Sequence, residues 1–307
     1  MSLSDIWDVL VLGVVIGSLY AVIAIGYTLV YGVLQLLNFA HSEVFMAGGF
    51  GGLIALTLID PVASPTAFQS VLYVAGGIAG GAALGGAVAF ALEKAAYLPL
   101  RRRHAPRLVF LITAIGASFF LYNFAGKLFG RDPVAMPEMY DNHEVFTLLG
   151  APLNVTQLLI VASGIVMLLV VDHIVNRTKM GAGIRAVAQD PEVASLMGVN
   201  IDKVVSRTFV LGGLLGGVAG FLFGTNLQVE FTMGFLPGIT AFAAAVLGGI
   251  GNVRGAMLGG LTLGVVESFT VEIWGGPWRY VGAFAVLVLV LMFRPTGILG
   301  ERVGRTA

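Results

Sequence analysis

The 307-residue sequence predicts an all-α polytopic membrane protein whose helices form a glycine-rich, tightly packed bundle. Apolar residues make up 57% of the chain and charged residues only 11%, against about 25% charge in ordinary soluble domains. The mean hydropathy is +0.93. A soluble surface needs far more charge, so these values exclude a soluble enzyme. Lys plus Arg and Asp plus Glu both number 17, and this zero net charge argues against nucleic acid as a partner.

Nine apolar runs predict about nine transmembrane or re-entrant helices, with one more or one fewer allowed. The runs cover 6–30, 39–59, 68–92, 107–129, 153–171, 208–227, 235–250, 255–271 and 279–293. The last three have only 16, 17 and 15 residues. At about 1.5 Å per residue they are short for a ~30 Å hydrocarbon core, so we expect tilted or re-entrant pieces among them.

The charges alternate between the connections and predict an orientation. Fourteen of the 17 basic residues fall in every second connection or in the C-terminal tail. The positive-inside rule places these regions in the cytoplasm, with the N-terminus periplasmic and the C-terminus cytoplasmic. The fourteen are Lys94, Arg101, Arg102, Arg103, Arg107, Arg177, Lys179, Arg185, Lys203, Arg207, Arg254, Arg294, Arg302 and Arg305.

Glycine supplies 43 of the 307 residues, and four of these glycines are spaced four apart. Small residues allow membrane helices to approach closely, which is how such helices associate in lipid. We therefore expect one helix to present a flat packing face formed by Gly212, Gly216, Gly220 and Gly224.

The basic connection at 181–203 predicts a short capped helix over about 191–197, preceded by another near 183–189. Asp190 suits the N-cap, Pro191 the first helical position and Gly198 the position after the last turn. Val193, Leu196 and Met197 give this helix an apolar face. The face could enter a partner's groove, lie among lipid headgroups or fold back on the bundle.

Polar residues also occur within or beside the apolar runs, where they mark a possible pathway for a solute. The candidates are Asn38, His41, Ser42, Glu43, Ser118, Asn123 and Glu267. An alternative keeps Asn38 as a helix N-cap and Glu43 among the headgroups. Segments 38–52 and 237–251 share glycine-interrupted apolar character, which suggests an inverted repeat with broken helices.

Neither an enzyme nor a cofactor site is predicted from the motifs. The sequence has no cysteine, no phosphate-binding loop and no clustered metal-ligating histidines. We therefore expect no catalytic residue, no metal and no cofactor bound by this chain.

Three stretches resemble LivH-type permeases of branched-chain amino-acid ABC transporters. They are GYTLVYGVLQLLNFAHSEVFMAGGF at 26–50, GIRAVAQDPEVASLMGVNID at 183–202 and AFAAAVLGGIGNVRGAMLGGLTLGVVES at 241–268. The resemblance implies a single permease domain over 1–307 in the bacterial inner membrane. It implies a second related permease, two ATP-binding cassette ATPases that bind the ATP, and a periplasmic substrate-binding protein.

The resemblance also makes 174–206 a coupling loop that contacts the ATPase. The expected coupling residues are Arg185, Asp190, Pro191, Glu192, Val193, Leu196, Met197 and Gly198. Permeases for urea or short-chain amides look similar in these stretches and remain an alternative for the substrate. A stand-alone secondary carrier or channel is the alternative from another class, although a carrier does not need a capped apolar helix in this loop.

Overall fold

The computed structural model describes residues 3–36, 38–62, 64–148 and 150–300, with the side chains of residues 3 and 4 excluded. Arg302 and Arg305, which enter the charge argument, lie outside this range. The helices are α1 Leu3–Leu34, α2 His41–Ile59, α3 Ala67–Leu92, α4 Leu98–Arg102, α5 Arg107–Leu128, α6 Val155–Arg177, α7 Lys179–Gln189, α8 Pro191–Leu196, α9 Ile201–Asn226, α10 Phe235–Gly248, α11 Val253–Trp274 and α12 Arg279–Phe293.

The prediction of an all-α polytopic membrane protein is confirmed. Within the described residues, eight helical segments are long and apolar enough to cross a membrane. The seventh predicted run, 235–250, corresponds to α10, which has only 14 residues and therefore extends about 21 Å. Of the other two short runs, 255–271 is longer than expected, because α11 has 22 residues. The run 279–293 matches α12, and the preceding 3₁₀ turn Gly276–Trp278 lengthens that segment to 18 residues.

The expected connection at 94–107 is largely helical. A π-helical turn over Glu93–Tyr97 joins α3 to α4, so the segment is continuous from 67 to 102. Two of the basic residues that suggested a connection are paired with a buried acid, since Glu93 lies 3.1 Å from Arg101 and 3.2 Å from Lys94. The helical segment therefore continues past the apolar run and ends at the basic residues Arg101 and Arg102.

A small β-hairpin lies between α5 and α6 and was not predicted. β1 (Glu144–Leu148) pairs antiparallel with β2 (Ala151–Asn154). Ala151 and Leu153 point inward and pack against Val11 of α1, whereas β1 is exposed along its whole length. The hairpin therefore covers the end of the bundle at which α1 begins.

The centre of the bundle is formed by α1, α2, α9 and α11, which contact one another at glycines. A Cβ on Gly264 of α11 would overlap the backbone of Gly17 in α1, and one on Gly48 of α2 would overlap the backbone of Gly217 in α9. By contrast, few residues of α5, α6 and α12 are buried within the chain, as expected for lipid-facing helices.

The two ends of the bundle are called here the first face, where α1 begins, and the second face, where α1 ends. Gln35 follows α1 and donates to the carbonyl of Ala188 in α7. Asp202, at the start of α9, pairs with Arg101, and Arg254, at the start of α11, pairs with Asp172. The basic connections therefore meet at the second face.

Candidate functional site

Two helices begin inside the bundle rather than at its ends. The ring of His41, the first residue of α2, contacts Gly26 well inside α1 and Gly216 midway along α9. Gly234, just before α10, lies against the backbone of Ser42, so the N-termini of α2 and α10 meet. From this point α2 runs to the first face and α10 to the second face, so the two helices run in opposite directions; the inverted repeat of 38–52 and 237–251 stays a prediction.

A cavity of about 970 Å³ lies beside this meeting point. It is bounded by α2, α5, α10 and the 227–234 segment, with Arg279 and Tyr280 of α12 at its border. Most of its wall is apolar, and the apolar lining includes Ile115, Phe119, Phe223, Leu236, Ile239 and Phe242. A cavity of this size and lining is typical of a small-molecule site.

Glu43 is the buried acidic group of this cavity, with 2% of its surface exposed. Its Oε1 accepts hydrogen bonds from Ser118 Oγ at 3.1 Å and from Ser42 Oγ at 3.3 Å. Its Oε2 has no hydrogen-bond partner among the described residues. A Cβ on Gly234 would lie 3.2 Å from Oε2, so that glycine lets α10 begin close to the carboxyl group. Glu43 therefore brings to the cavity wall a buried carboxyl group with one oxygen that is not hydrogen-bonded within the described residues.

The predicted pathway residues thus fall into two groups. Ser42, Glu43 and Ser118 come together in the cavity wall. Asn38 and His41 are buried behind it: Tyr97 donates to Asn38 Oδ1 at 2.6 Å, and the His41 ring packs edge-on against Tyr27 at 4.7 Å.

The alternative interpretation of this segment does not fit the geometry. Ala40, not Asn38, occupies the N-cap of α2, and it makes no side-chain cap. Glu43 is enclosed by protein rather than placed among headgroups. On α5, Asn123 is exposed and donates to the carbonyl of Phe119, so it does not join the cavity wall.

Glu267 lies outside the cavity wall and contacts a residue that belongs to it. Its side chain is fully buried, accepts hydrogen bonds from the Tyr20 hydroxyl at 2.8 and 3.0 Å, and lies 2.8 Å from Arg279 Nε. Glu267 therefore holds Arg279 at the cavity border. The only sequence signal for Arg279 is that it is one of three basic residues, with Lys127 and Arg131, in the mainly acidic set of connections.

The glycine row of α9 lies against α1, α2 and the 227–234 segment. Gly212 and Gly216 face the His41 ring, and a Cβ on Gly220 would overlap the carbonyl oxygen of Phe45. A Cβ on Gly224 would lie 2.7 Å from Val229 Cγ2. The row therefore fixes how closely α9 approaches the first half of α2, where the cavity begins.

A second candidate site is α8, on the second face. Asp190 Oδ1 accepts hydrogen bonds from the N–H groups of Glu192 at 2.8 Å and Val193 at 3.0 Å, which confirms the predicted N-cap. Gly198 follows the helix with φ of +84°, a conformation that favours glycine. Its N–H donates to Ser195, so both ends of α8 are fixed by local hydrogen bonds.

The apolar face of α8 points away from the bundle. Val193, Leu196 and Met197 are 53%, 87% and 80% exposed. The preceding helix behaves differently: Ile184 and Val187 of α7 are buried against the bundle.

Of the remaining predicted coupling residues, one contacts a neighbouring helix and two are exposed. Arg185 donates to the carbonyl of Val175 and so ties α7 to the end of α6. Pro191 and Glu192 are exposed in the first turn of α8.

Comparison with known proteins agrees with the resemblance described above. The family model for the branched-chain amino acid transport system permease component matches residues 9–293. The permease protein BraD of Pseudomonas aeruginosa, from a high-affinity branched-chain amino acid transport system, is 40% identical over 95% of each chain. LivH of Escherichia coli K12 is 39% identical over 94% of each chain, and a probable LivH of Methanocaldococcus jannaschii is 26% identical over 97% of this chain and 94% of that one. The chain therefore belongs to the family of branched-chain amino acid transport system permease components.

Proposed function

We propose that this chain is the membrane-spanning permease subunit of an ABC importer and forms part of the translocation pathway for branched-chain amino acids. ATP is bound by two separate ATPase subunits, a second related permease completes the pathway, and a periplasmic binding protein delivers the substrate. The complex resides in the bacterial inner membrane.

The observation that carries the proposal is the exposed apolar face of α8. Val193, Leu196 and Met197 would cost free energy if they stayed in water, and the capped helix holds them on one surface. An amphipathic helix of this kind suits a hydrophobic groove on a partner protein. In an ABC importer that partner is the ATPase, which this chain needs because its sequence contains no phosphate-binding loop.

The orientation follows from the basic second face. The positive-inside rule assigns this face to the cytoplasm, where α8 would meet the ATPase. The first face, with the β-hairpin, is then periplasmic and would meet the binding protein. The N-terminus is periplasmic and the C-terminus cytoplasmic in this arrangement.

The cavity supports an amino acid as the substrate. Its apolar wall suits an aliphatic side chain, and the unpaired carboxyl oxygen of Glu43 would accept a hydrogen bond from the substrate ammonium group once the cavity wall opens to it. The N-termini of α2 and α10 carry positive partial charge that suits the substrate carboxylate. Ser42 and Ser118 hold the carboxyl group of Glu43 in place.

Transport by the reconstituted complex tests this function. The chain is assembled with its partner permease and ATPases in proteoliposomes, and uptake of labelled leucine and labelled urea is measured with the binding protein present. We expect ATP-dependent uptake of leucine and none of urea. Leucine uptake by this chain alone without ATP would refute the ABC assignment, and ATP-dependent uptake of urea would refute the substrate.

A further inference from the structure

A second, much smaller pocket opens on the second face between α3–α4 and the start of α9, and its volume is about 360 Å³. Cationic side chains dominate its lining. The lining residues are Lys94, Arg102, Asn200, Asp202, Lys203, Ser206 and Arg207.

The pocket keeps an excess of positive charge after its ion pairs are counted. Its one acidic group, Asp202, is already engaged at both oxygens, by Arg101 at 2.8 Å and by Arg102 at 3.3 Å. Within the described part of the chain, Lys203 and Arg207 form no ion pair. Asn200 caps α9 by accepting from the Lys203 N–H, so the positive end of a 26-residue helix also faces this pocket. The site is therefore built for an anion.

The pocket also lies where a membrane surface would be. Lys203, Arg207 and Leu214 are exposed and follow one stripe of α9 that passes from the basic end to the apolar interior. On the neighbouring helix, Phe90 is 46% exposed and Lys94 Nζ lies 5.5 Å above its ring. The close glycine contacts between α3 and α9 keep the groove between these stripes shallow. An anion bound here would thus have an apolar, lipid-facing surface directly beneath it.

We infer that this pocket binds the phosphate group of an anionic phospholipid, with the acyl chains lying along Phe90 and Leu214. Basic pockets between membrane helices on the cytoplasmic side favour anionic headgroups, because several cations share the phosphate charge. A lipid is favoured over a soluble phosphate compound because the cations and the apolar surface are continuous along the same two helices. The inference concerns lipid binding and is independent of the transported substrate.

Native mass spectrometry of the full-length chain in mild detergent tests this site. The protein is mixed with phosphatidylglycerol or with phosphatidylcholine, and the retained lipid is counted. The test variant is Lys203→Gln with Arg207→Gln. The matched control is Lys179→Gln with Arg103→Gln, which removes the same two residue types from exposed positions on the same face but outside the pocket.

We expect the wild-type chain and the control to retain phosphatidylglycerol over phosphatidylcholine, and the pocket variant to lose that preference on the order of tenfold or more. Equal loss in both variants, or no loss in the pocket variant, would overturn the inference. If glycerol phosphate displaced the lipid at equal concentration, the ligand would be a soluble phosphate compound, and this result would also overturn the inference. The inference would also be overturned if the pocket variant kept its lipid but no longer bound the ATPase, since this surface would then be a contact with a protein.

Discussion

Truncating the exposed apolar side chains of α8 is expected to weaken the binding of the ATPase without destabilising the permease. Leu196 and Met197 are 87% and 80% exposed, so their replacement by serine removes almost no contact within the chain. Exposed substitutions of this kind usually change the free energy of unfolding by less than about 0.5 kcal/mol. Nearly all of the burial free energy of these two side chains is therefore available to a partner.

The size of the effect follows from that burial. Complete burial of a leucine or methionine side chain contributes about 1.5–3 kcal/mol. Since a groove on the partner need not enclose both side chains completely, we expect the Leu196→Ser and Met197→Ser pair to cost about 2–4 kcal/mol of binding free energy. This corresponds to a roughly 30-fold to several-hundred-fold loss of affinity.

The assay is the affinity of the purified ATPase for the permease in nanodiscs, measured together with the thermal unfolding of the permease. Leu58→Ser is the matched control, because Leu58 is 81% exposed but lies at the end of α2 on the first face. Wild-type affinity in a folded double variant would refute the role of α8. So would an equal loss of affinity in the control.

Three further changes test the cavity, the glycine row and the caps of α8. Glu43→Gln replaces a carboxyl group by an amide of the same size. We expect it to lower leucine uptake about tenfold while ATPase binding stays intact. Unchanged uptake would count against a role of Glu43 in the pathway. Gly220→Val overlaps the Phe45 carbonyl and is expected to destabilise the bundle by about 1–3 kcal/mol in thermal unfolding. Gly116→Val, where a Cβ meets nothing within 4 Å, is its control, and equal melting of the two would contradict the packing argument. Asp190→Ala with Gly198→Val removes the N-cap of α8 and the glycine that follows it in a left-handed conformation, which lowers the stability of this helix by about 2 kcal/mol. We therefore expect less ATPase to co-purify with the permease. Normal co-purification would argue against the coupling role.

The sequence predicts best where the determinants are local. The start and end of α8 were expected within one residue of Pro191–Leu196, because the Asp190 cap and the Gly198 conformation depend only on neighbouring backbone groups. Long apolar runs likewise predicted the membrane helices, since a bilayer requires such runs whatever the helices pack against.

Charges used as helix ends were less reliable. The segment at 94–107 was expected to be a connection, yet the helix continues to Arg102 because Glu93 and Asp202 pair with Arg101. A partner that lies 101 residues away in the chain leaves no local signal. The hairpin at 144–154 likewise leaves no local signal in the sequence, because only a few of its side chains point inward and pack on α1.

The segment that leads into α2 shows why the candidate site itself was only partly predictable. A helix start with polar residues has the same local sequence at a membrane surface and at mid-depth, so Asn38–Glu43 fitted both interpretations. Three contacts from elsewhere decide between them. Gly26 and Gly216 leave room for the His41 ring, Tyr97 supplies the hydrogen bond that buried Asn38 needs, and Ser118 supplies one to Glu43. Burying a polar side chain costs free energy unless the surrounding structure supplies contacts for it, so mid-depth placement depends on this tertiary setting. The residues that supply these contacts lie on α1, on the π-helical turn after α3, on α5 and on α9.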